Sequence, residues 1–259
     1  MSFKSYFFKL LIFGIIVIGI LYFIGFFDSK DSSTSKPQIS DIETYLPVGD
    51  GDVVRHNYYV LGYNEEHEQP SWVYYKPYIA EEGKKFKRTD DFRPDSKVRT
   101  GSADPADYLR SGYDRGHLCP AADMSLSSES MSETFLMSNM SPQKPAFNRG
   151  IWKRLEEQVR VWARNNKLWI VTGPVFKDIL GYIGAENKVS VPGHFYKIIY
   201  APERNKMLGF LLPNGKSDYP FSHYAVSVDS IEKVTGLDFF SNLSDDLENA
   251  LESQVVYSL

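Results

Sequence analysis

Apolar residues recur along the chain with two different spacings, which divide it into predicted strands and helices. Alternating or clustered aromatic and β-branched side chains predict strands at residues 55–63, 72–79, 167–172, 194–200 and 207–212. Later the spacing changes, because Ile151, Leu155, Val159 and Trp162 recur every three or four residues and predict one amphipathic helix that runs to about Asn165. The pattern predicts a mixed α+β domain with antiparallel strands.

Shorter helices and one bend are also predicted. Residues 230–235 and 244–253 have the composition of short helices, and Gly236 predicts the end of the first. Gly150 predicts that the chain bends just before the amphipathic helix, so that Asn148 turns away from the helix axis.

The chain opens with an uncharged apolar run from Leu10 to Phe27, preceded by Lys4 and Lys9. A helix of that length spans about 27 Å, close to the hydrocarbon thickness of a bilayer. The run is long for the core of a signal peptide, and no good cleavage site follows it. The sequence therefore favours an uncleaved membrane anchor at residues 1–27 over a removed signal or a buried core helix.

The charge of the residues that flank the apolar run predicts on which side of the membrane the rest of the chain lies. Lysines before the apolar run favour a cytoplasmic N-terminus, so the remainder is expected outside the cytoplasm, periplasmic or extracellular, or secreted if the run is cleaved. Residues 28–40 are rich in Ser, Thr, Asp and Lys and predict a flexible linker. Residues 41–259 are long enough for one folded domain.

The single cysteine, Cys119, excludes an intrachain disulfide and is expected to be a small buried residue.

The net charge of −4 argues against binding nucleic acid by bulk attraction, but the distribution of charge is uneven. Two clusters of Lys and Arg flank the centre of the chain, before and after residues 113–122, and are consistent with a phosphate-binding surface. Their members are Lys84, Lys85, Lys87, Arg88, Arg93, Lys97 and Arg99, and then Lys144, Arg149, Lys153, Arg154, Arg160, Arg164 and Lys167.

The strongest chemical signal is the stretch from Tyr113 to Ala122, which contains Asp114, Arg115, Gly116 and His117 in succession. Hydrolysis of a phosphodiester needs a base for water and a cation for the phosphate oxygens. Histidine is a suitable base because its ordinary pKa lies near 6.5. Arg115 has the planar geometry that holds a phosphate through two hydrogen bonds.

Asn148 and Glu156 are the candidate metal-site residues. Eight helical residues separate side chains by about 12 Å, so both cannot bind one ion directly; Asn148 is predicted as the direct ligand and Glu156 as a ligand through water. Such an oxygen-only site suits Mg²⁺. Each residue also fits a purely structural role, Asn148 as a helix N-cap and Glu156 as a solvent-exposed residue of a charged helix. Arg160 follows Glu156 by four residues, which predicts an ion pair between them.

Together these segments, with Ser138 to Gln143 and Phe147 to Trp152, resemble the DNA/RNA non-specific endonucleases, a family that includes endonuclease G. The resemblance covers about residues 58–229. It implies a ββα-metal core set within a larger, largely antiparallel sheet flanked by helices. It also implies that His117 is the general base, that Asn148 is the metal ligand, and that Glu156, Arg160, Asn139 and Arg115 complete the site.

An additional family arginine upstream of the motif corresponds to Arg88, with Arg93 as the alternative. Asn139 is expected to orient the water or the imidazole. The resemblance implies cleavage of DNA and RNA with Mg²⁺, or with Mn²⁺ in its place, leaving 5′-phosphate and 3′-hydroxyl ends. A homodimer is a further expectation. Two alternatives stay open at this point: a phosphodiesterase of narrower specificity and a membrane-tethered receptor that binds nucleic acid for uptake.

Overall fold

A computed structural model describes residues 43–80 and 86–259. The predicted anchor at residues 1–27 and the predicted linker at 28–40 lie outside the described residues. Within the described ranges, no helix combines the length and the apolar character needed to cross a bilayer.

The centre of the fold is a seven-stranded antiparallel sheet with the strand order β1-β2-β3-β6-β7-β8-β9. A separate two-stranded hairpin pairs β4 with β5. The strands are β1 (Asp52–Arg55), β2 (Tyr59–Asn64), β3 (Gln69–Tyr75), β4 (Asp114–His117), β5 (Met140–Gln143), β6 (Trp169–Ile183), β7 (Val189–Ala201), β8 (Lys206–Pro213) and β9 (Ala225–Val226).

Within residues 43–80 and 86–259, four α-helices accompany the strands: α1 (Ser128–Glu133), α2 (Lys153–Ala163), α3 (Val228–Thr235) and α4 (Asp245–Glu252). A π-helical turn, Phe147–Trp152, leads directly into α2. Short 3-10 turns lie at Glu43–Tyr45, Pro105–Tyr108, Ala121–Met124, Met137–Asn139, Pro202–Arg204 and Phe221–Tyr224.

The two faces of the large sheet are covered by different helices. Because side chains alternate along a strand, Val73 and Tyr75 pack on the face covered by α2, whereas Trp72 and Tyr74 pack on the opposite face. The apolar stripe of α2 is buried as its spacing predicts. Helices α3 and α4 contribute their buried residues to the opposite face. The predicted α+β class, with a ββα unit beside a largely antiparallel sheet, is confirmed.

The limits of the predicted strands differ in the structure: β6 and β7 extend well beyond the predicted ranges 167–172 and 194–200, and two other differences have a local cause. Residues 55–63 do not form one strand, because the His56 N–H donates to the Tyr59 carbonyl at 2.9 Å and closes a turn between β1 and β2. The strand predicted at 72–79 ends at Tyr75, shortly before Pro77, which lacks the N–H that a ladder requires. The helix predicted at 151–165 is α2 preceded by the π-helical turn, and Gly236 ends α3 with a left-handed φ of 73° as predicted.

Candidate active site

The hairpin β4–β5 carries the Asp-Arg-Gly-His motif. Its register pairs Asp114 with Gln143 and His117 with Met140. Gly116 faces the side chain of Gln143 so closely that a Cβ atom at position 116 would lie 2.2 Å from Gln143 Cδ. Glycine is therefore required for the two strands to pack, and it keeps the motif strand close to β5.

Two aromatic side chains, Phe92 and Phe135, enclose His117. Their ring centroids lie 5.7 and 4.8 Å from that of the imidazole, each with its ring edge-on to the imidazole. The guanidinium of Arg115 lies over Phe92, 4.1 Å from the ring centroid, and that of Arg88 lies over Phe135 at 4.7 Å. The same two rings thus position the histidine and two cations within one small region.

The imidazole of His117 is held neutral. Burial, followed by the nearby guanidinium groups of Arg88 and Arg115, lowers the pKa of His117 to about 3. Its Nε2 atom is buried and makes no hydrogen bond within the described part of the chain. The neutral imidazole is the form that can act as a base at neutral pH.

The lowered pKa of His117 makes folding stability depend on pH. In the unfolded chain this histidine takes up a proton near pH 6.5, whereas in the folded protein it stays neutral down to about pH 3. The unfolded state therefore binds more protons in this interval, and stability falls as the pH falls. We expect the melting temperature to drop more steeply between pH 6.5 and 4.5 in the wild type than in His117→Asn. The exposed His223, replaced in His223→Asn, is the control, and parallel slopes for wild type and His117→Asn would contradict the prediction.

Asn148 lies in the π-helical turn, where Gly150 departs from helical geometry with φ −107° and ψ −111°. Its side chain makes no capping hydrogen bond to the helix, so the N-cap role is wrong. The amide Nδ2 instead donates to Asp114 Oδ2 at 2.9 Å, which links the turn to the first residue of β4. Arg149 holds the same carboxylate with two hydrogen bonds, at 2.9 and 2.6 Å.

The contact with Asp114 determines which way the amide of Asn148 faces. An ionised carboxylate only accepts hydrogen bonds, so the NH₂ end must face Asp114 and the carbonyl Oδ1 must face away from it. Within the described ranges, Oδ1 accepts no hydrogen bond. An oriented, unused carbonyl oxygen fits a hard cation such as Mg²⁺, which prefers oxygen ligands and keeps several of its waters.

A cluster of charged side chains lies between α2 and the sheet. Arg160 donates from Nη1 to Asp123 Oδ1 at 2.9 Å, so its ion pair is with Asp123 and the predicted pair with Glu156 is wrong. The helix allows the Glu156 pairing by spacing alone, but the buried carboxylate of Asp123, at 0% exposure, provides the closer partner. Tyr75 donates to the other oxygen of Asp123 at 3.1 Å.

Lys197 is the fourth charged member of this cluster. It is completely buried on β7, and its Nζ has no hydrogen-bond partner among the described residues. The ammonium lies 4.7 Å from the ring centroid of Trp152 and 5.7 Å from that of Tyr75. Burial lowers the pKa of Lys197, against the opposing effects of Glu156 and Asp123. Burial also raises the pKa of Glu156 to about 8, although Lys197 acts to lower it.

The two candidate upstream arginines have different surroundings. Arg93 is held by the Asp91 carboxylate at 2.7 Å and by the Ser132 carbonyl at 3.1 Å, so its donors serve the local fold. Arg88 pairs with Asp90 at 2.6 Å on the surface and stacks on the ring that contacts His117. The geometry favours Arg88 as the upstream arginine of the site.

Asn139 is fully buried, and its amide is used entirely by the backbone. It accepts from the Cys119 N–H at 2.8 Å and donates to the carbonyls of Cys119 and Thr134 at 2.9 and 2.8 Å. Both N–H donors of the amide are used by backbone carbonyls, so none remains for the water or the imidazole, and the orienting role expected for Asn139 stays a prediction. It fixes the chain that follows His117.

Two other residues have simpler environments. Cys119 is completely buried, as expected, and burial raises the pKa of its thiol. His194, a weaker candidate for lining the site, lies on β7 with its Nδ1 3.6 Å from Asp178 Oδ2.

Sequence reasoning did not identify several residues of the site. Phe92 and Phe135 carried no local signal, since single aromatic residues are common in cores. A lysine within the apolar strand segment Phe195 to Tyr200 was a usable signal for Lys197, because charged residues are rarely fully buried without a partner. Asp123 follows the motif closely but has no pattern of its own.

Comparisons with known proteins identify the family of the chain. Residues 41–246 match the model of a family described as DNA/RNA non-specific endonuclease. A nuclease of Nostoc sp. is 34% identical over 216 residues, covering 77% of each chain. The mitochondrial nuclease EXOG of Mus musculus is 33% identical over 257 residues, covering 86% of this chain and 69% of its own.

A solved structure, the crystal structure of an EndoG/EndoGI complex that concerns EndoG inhibition, is also similar. It has a TM-score of 0.75 and 31% sequence identity, covering 87% of this chain and 100% of its own. The family match spans more than half of the chain, and the fold agrees with that of a ββα-metal nuclease. The chain therefore belongs to the DNA/RNA non-specific endonuclease family, a family of metal-dependent nucleases, and is itself a nuclease.

Proposed function

We propose that this nuclease is a Mg²⁺-dependent endonuclease that hydrolyses both DNA and RNA with His117 as general base, leaving 5′-phosphate and 3′-hydroxyl ends. The observation that carries the proposal is the neutral imidazole of His117, which lies near the guanidinium groups of Arg88 and Arg115. A base beside two cations is what attack of water on a phosphodiester requires.

The roles of the chain's own groups follow from their positions. The imidazole of His117 takes the proton from the attacking water, and it is neutral at pH 7, which is the form that can act as a base. Arg115 and Arg88 hold phosphate oxygens and offset the charge that develops on them. Asn148, oriented by Asp114, would hold the cation, with Glu156 as the residue that would contact it through water. A bound Mg²⁺, or Mn²⁺ in its place, would stabilise the charge that develops on the phosphate and the leaving oxygen.

A groove of about 920 Å³ lies beside the site. Its volume is near the upper end of the roughly 300–1,000 Å³ that ligand pockets span, so it has room for more than one nucleotide. Arg88 and Arg160 line it together with Phe86, an exposed aromatic residue. Guanidinium groups suit a phosphate backbone, and an exposed ring suits stacking with a base. The groove supports a polymeric substrate over the small diesters of a narrower phosphodiesterase.

Asp114 offers a test of how the metal ligand is oriented. Asp114→Asn keeps the shape of the side chain but can donate as well as accept, so the amide of Asn148 is no longer fixed with Oδ1 outward. We expect the affinity for Mg²⁺ to fall about 10- to 100-fold, the usual cost of losing a group that orients a ligand. Isothermal titration with Mg²⁺ measures this affinity. Arg149→Met, which removes only an exposed partner of Asp114, is the matched control. Unchanged affinity in Asp114→Asn would refute the orienting role.

The experiment that tests the function is cleavage of supercoiled plasmid and of single-stranded RNA by the full-length protein. It is run with Mg²⁺, with Mn²⁺ and with excess chelator. We expect both polymers to be cut only with metal, and the ends to accept ligation that requires a 5′-phosphate. Cleavage of small diesters without cleavage of plasmid would support the narrower phosphodiesterase instead. Binding of DNA without cleavage, undiminished in Asn148→Ala, would support a receptor for uptake.

We also propose that residues 1–27 anchor the enzyme in a membrane, that residues 28–40 act as its linker, and that residues 41–259, the endonuclease domain, lie outside the cytoplasm. The uncharged run from Leu10 to Phe27 supports this arrangement. Protease treatment of intact cells should degrade the domain while leaving cytoplasmic proteins whole. Recovery of the domain in the culture medium would show that the run is cleaved.

Formation of a homodimer stays a prediction that sedimentation of the purified protein can test.

A further inference from the structure

Three carboxylates meet where α3 and α4 approach each other near the C-terminus. Asp229 and Glu232 come from α3, and Glu252 is the last residue of α4. One oxygen from each lies within 4.8 Å of the others. Asp229 is exposed, Glu232 is partly buried and Glu252 is buried, so the cluster is open to solvent on one side only.

The buried member of the cluster has unused bonding capacity. Glu252 is only 5% exposed, and its Oε1 atom has no hydrogen-bond partner within the described ranges. A buried carboxylate oxygen without a partner is costly, because it has lost its water and gained nothing in return. Since one oxygen of this carboxylate lies within 4.8 Å of an oxygen from each of the other two, a ligand bound between the three would engage it.

Among the described residues, no lysine or arginine forms an ion pair with the cluster. The Phe239 N–H donates to Glu232 Oε1 at 2.9 Å. Burial, followed by the neighbouring carboxylates with Glu232 first, raises the pKa of Glu252 to about 9. The local field therefore favours binding of a cation.

We propose that Asp229, Glu232 and Glu252 form a calcium site that joins α4 to α3. Carboxylate oxygens from three side chains suit Ca²⁺, which accepts six to eight oxygen ligands in flexible geometry and completes its shell with water. Mg²⁺ is the weaker candidate because it demands near-ideal octahedral geometry, and the absence of His and Cys from the triad argues against Zn²⁺.

This site is separate from the catalytic one. The buried residues of α3 and α4, including Val228, Ile231 and Leu251, pack on one face of the sheet. Leu155 and Val159 of α2, the helix that carries Glu156, pack on the opposite face. The calcium site is therefore expected to stabilise the C-terminal part of the fold without taking part in hydrolysis.

The test is calcium binding by the full-length protein carrying Asn148→Ala, which weakens the catalytic metal site. After removal of metals with chelator, isothermal titration should show one saturable Ca²⁺ site with a Kd on the order of 10⁻⁴ M or tighter. Adding Asp229→Asn or Glu252→Gln should weaken it at least ~10-fold, since affinity follows the number of charged ligands. Asp246→Asn, which removes an exposed charge from α4, is the matched control and should change the Kd by less than ~2-fold at physiological salt.

Thermal stability provides the second measurement. At a Ca²⁺ concentration of 100 times the Kd, the melting temperature of the Asn148→Ala protein should rise by roughly 5–10 °C, and this rise should be lost in the Asp229→Asn double variant. If Glu252→Gln does not fold, the Asp229→Asn variant, which changes an exposed side chain, is used for both measurements. No saturable binding up to millimolar Ca²⁺, or an unchanged Kd in Asp229→Asn, would overturn the proposal. Mg²⁺-supported plasmid cleavage by Asp229→Asn alone should equal that of the wild type, so this outcome is independent of the catalytic assignment.

Discussion

Replacing His117 by alanine is expected to lower the rate of plasmid cleavage at least ~10²-fold, the usual contribution of general-base catalysis. The imidazole is neutral and lies near Arg88 and Arg115, and the variant loses this base together with the ring. The loss should appear in kcat with little change in KM, because Arg88 and Arg115 still bind phosphate. Steady-state cleavage of a labelled oligonucleotide separates the two constants.

The control for this variant is His223→Ala, which removes an exposed imidazole from a 3-10 turn and should leave the rate unchanged. Circular dichroism and Mg²⁺ titration should show that His117→Ala is folded and still binds metal. Turnover close to that of the wild type in a folded His117→Ala protein would remove the histidine from its proposed role.

Lys197→Met is expected to destabilise the fold by about 3 kcal/mol and to reduce cleavage as well. Methionine keeps the length of the apolar stem against Trp152 but removes the buried ammonium, which leaves Glu156 and Asp123 with Arg160 as the remaining cation of the cluster. Lys197 forms no ion pair, but its charge acts on the Glu156 and Asp123 carboxylates, and removing a member of a buried charged group typically costs about 3–5 kcal/mol. Urea denaturation measures the change in the free energy of unfolding.

A double variant distinguishes electrostatics from packing. If the cost arises from the unbalanced carboxylate, Lys197→Met with Glu156→Gln should recover a large part of the lost stability while cleavage stays low, because Glu156 is proposed to serve the metal. Additive losses in the double variant would mean that Lys197 contributes through packing alone. Lys206→Met, on the neighbouring strand and near the surface, is the matched control.

Much of the fold followed from local patterns. The stripe of α2 was predictable because an amphipathic helix repeats every 3.6 residues whatever it packs against. The later strands were predictable because aromatic and β-branched residues cluster in them, whereas the turn at His56 was missed because its hydrogen bond is made within an otherwise strand-like segment. Proline at position 77 shortened β3 for a local reason that the pattern of apolar residues does not contain.

The residue types that carry the chemistry of the site were also predictable from short stretches of sequence. His117, Arg115 and Asn148 lie in short motifs whose order alone indicates phosphodiester chemistry. The protonation state of these groups depends on residues that are distant in the sequence. The pKa of His117 is lowered by burial and by Arg88, which is 29 residues earlier in the chain. The orientation of Asn148 depends on Asp114, 34 residues away, and the partner of Arg160 proved to be Asp123.

The sequence by itself determined the family, the α+β class, the helix of the site and the types of side chain that carry the chemistry, because motifs and periodicities are properties of neighbouring residues. The tertiary structure alone decided which carboxylate holds which cation, which way the amide of Asn148 faces and that Lys197 lies beneath the site. Desolvation and hydrogen bonding depend on groups that approach only after the chain has folded, and no spacing along the chain specifies them.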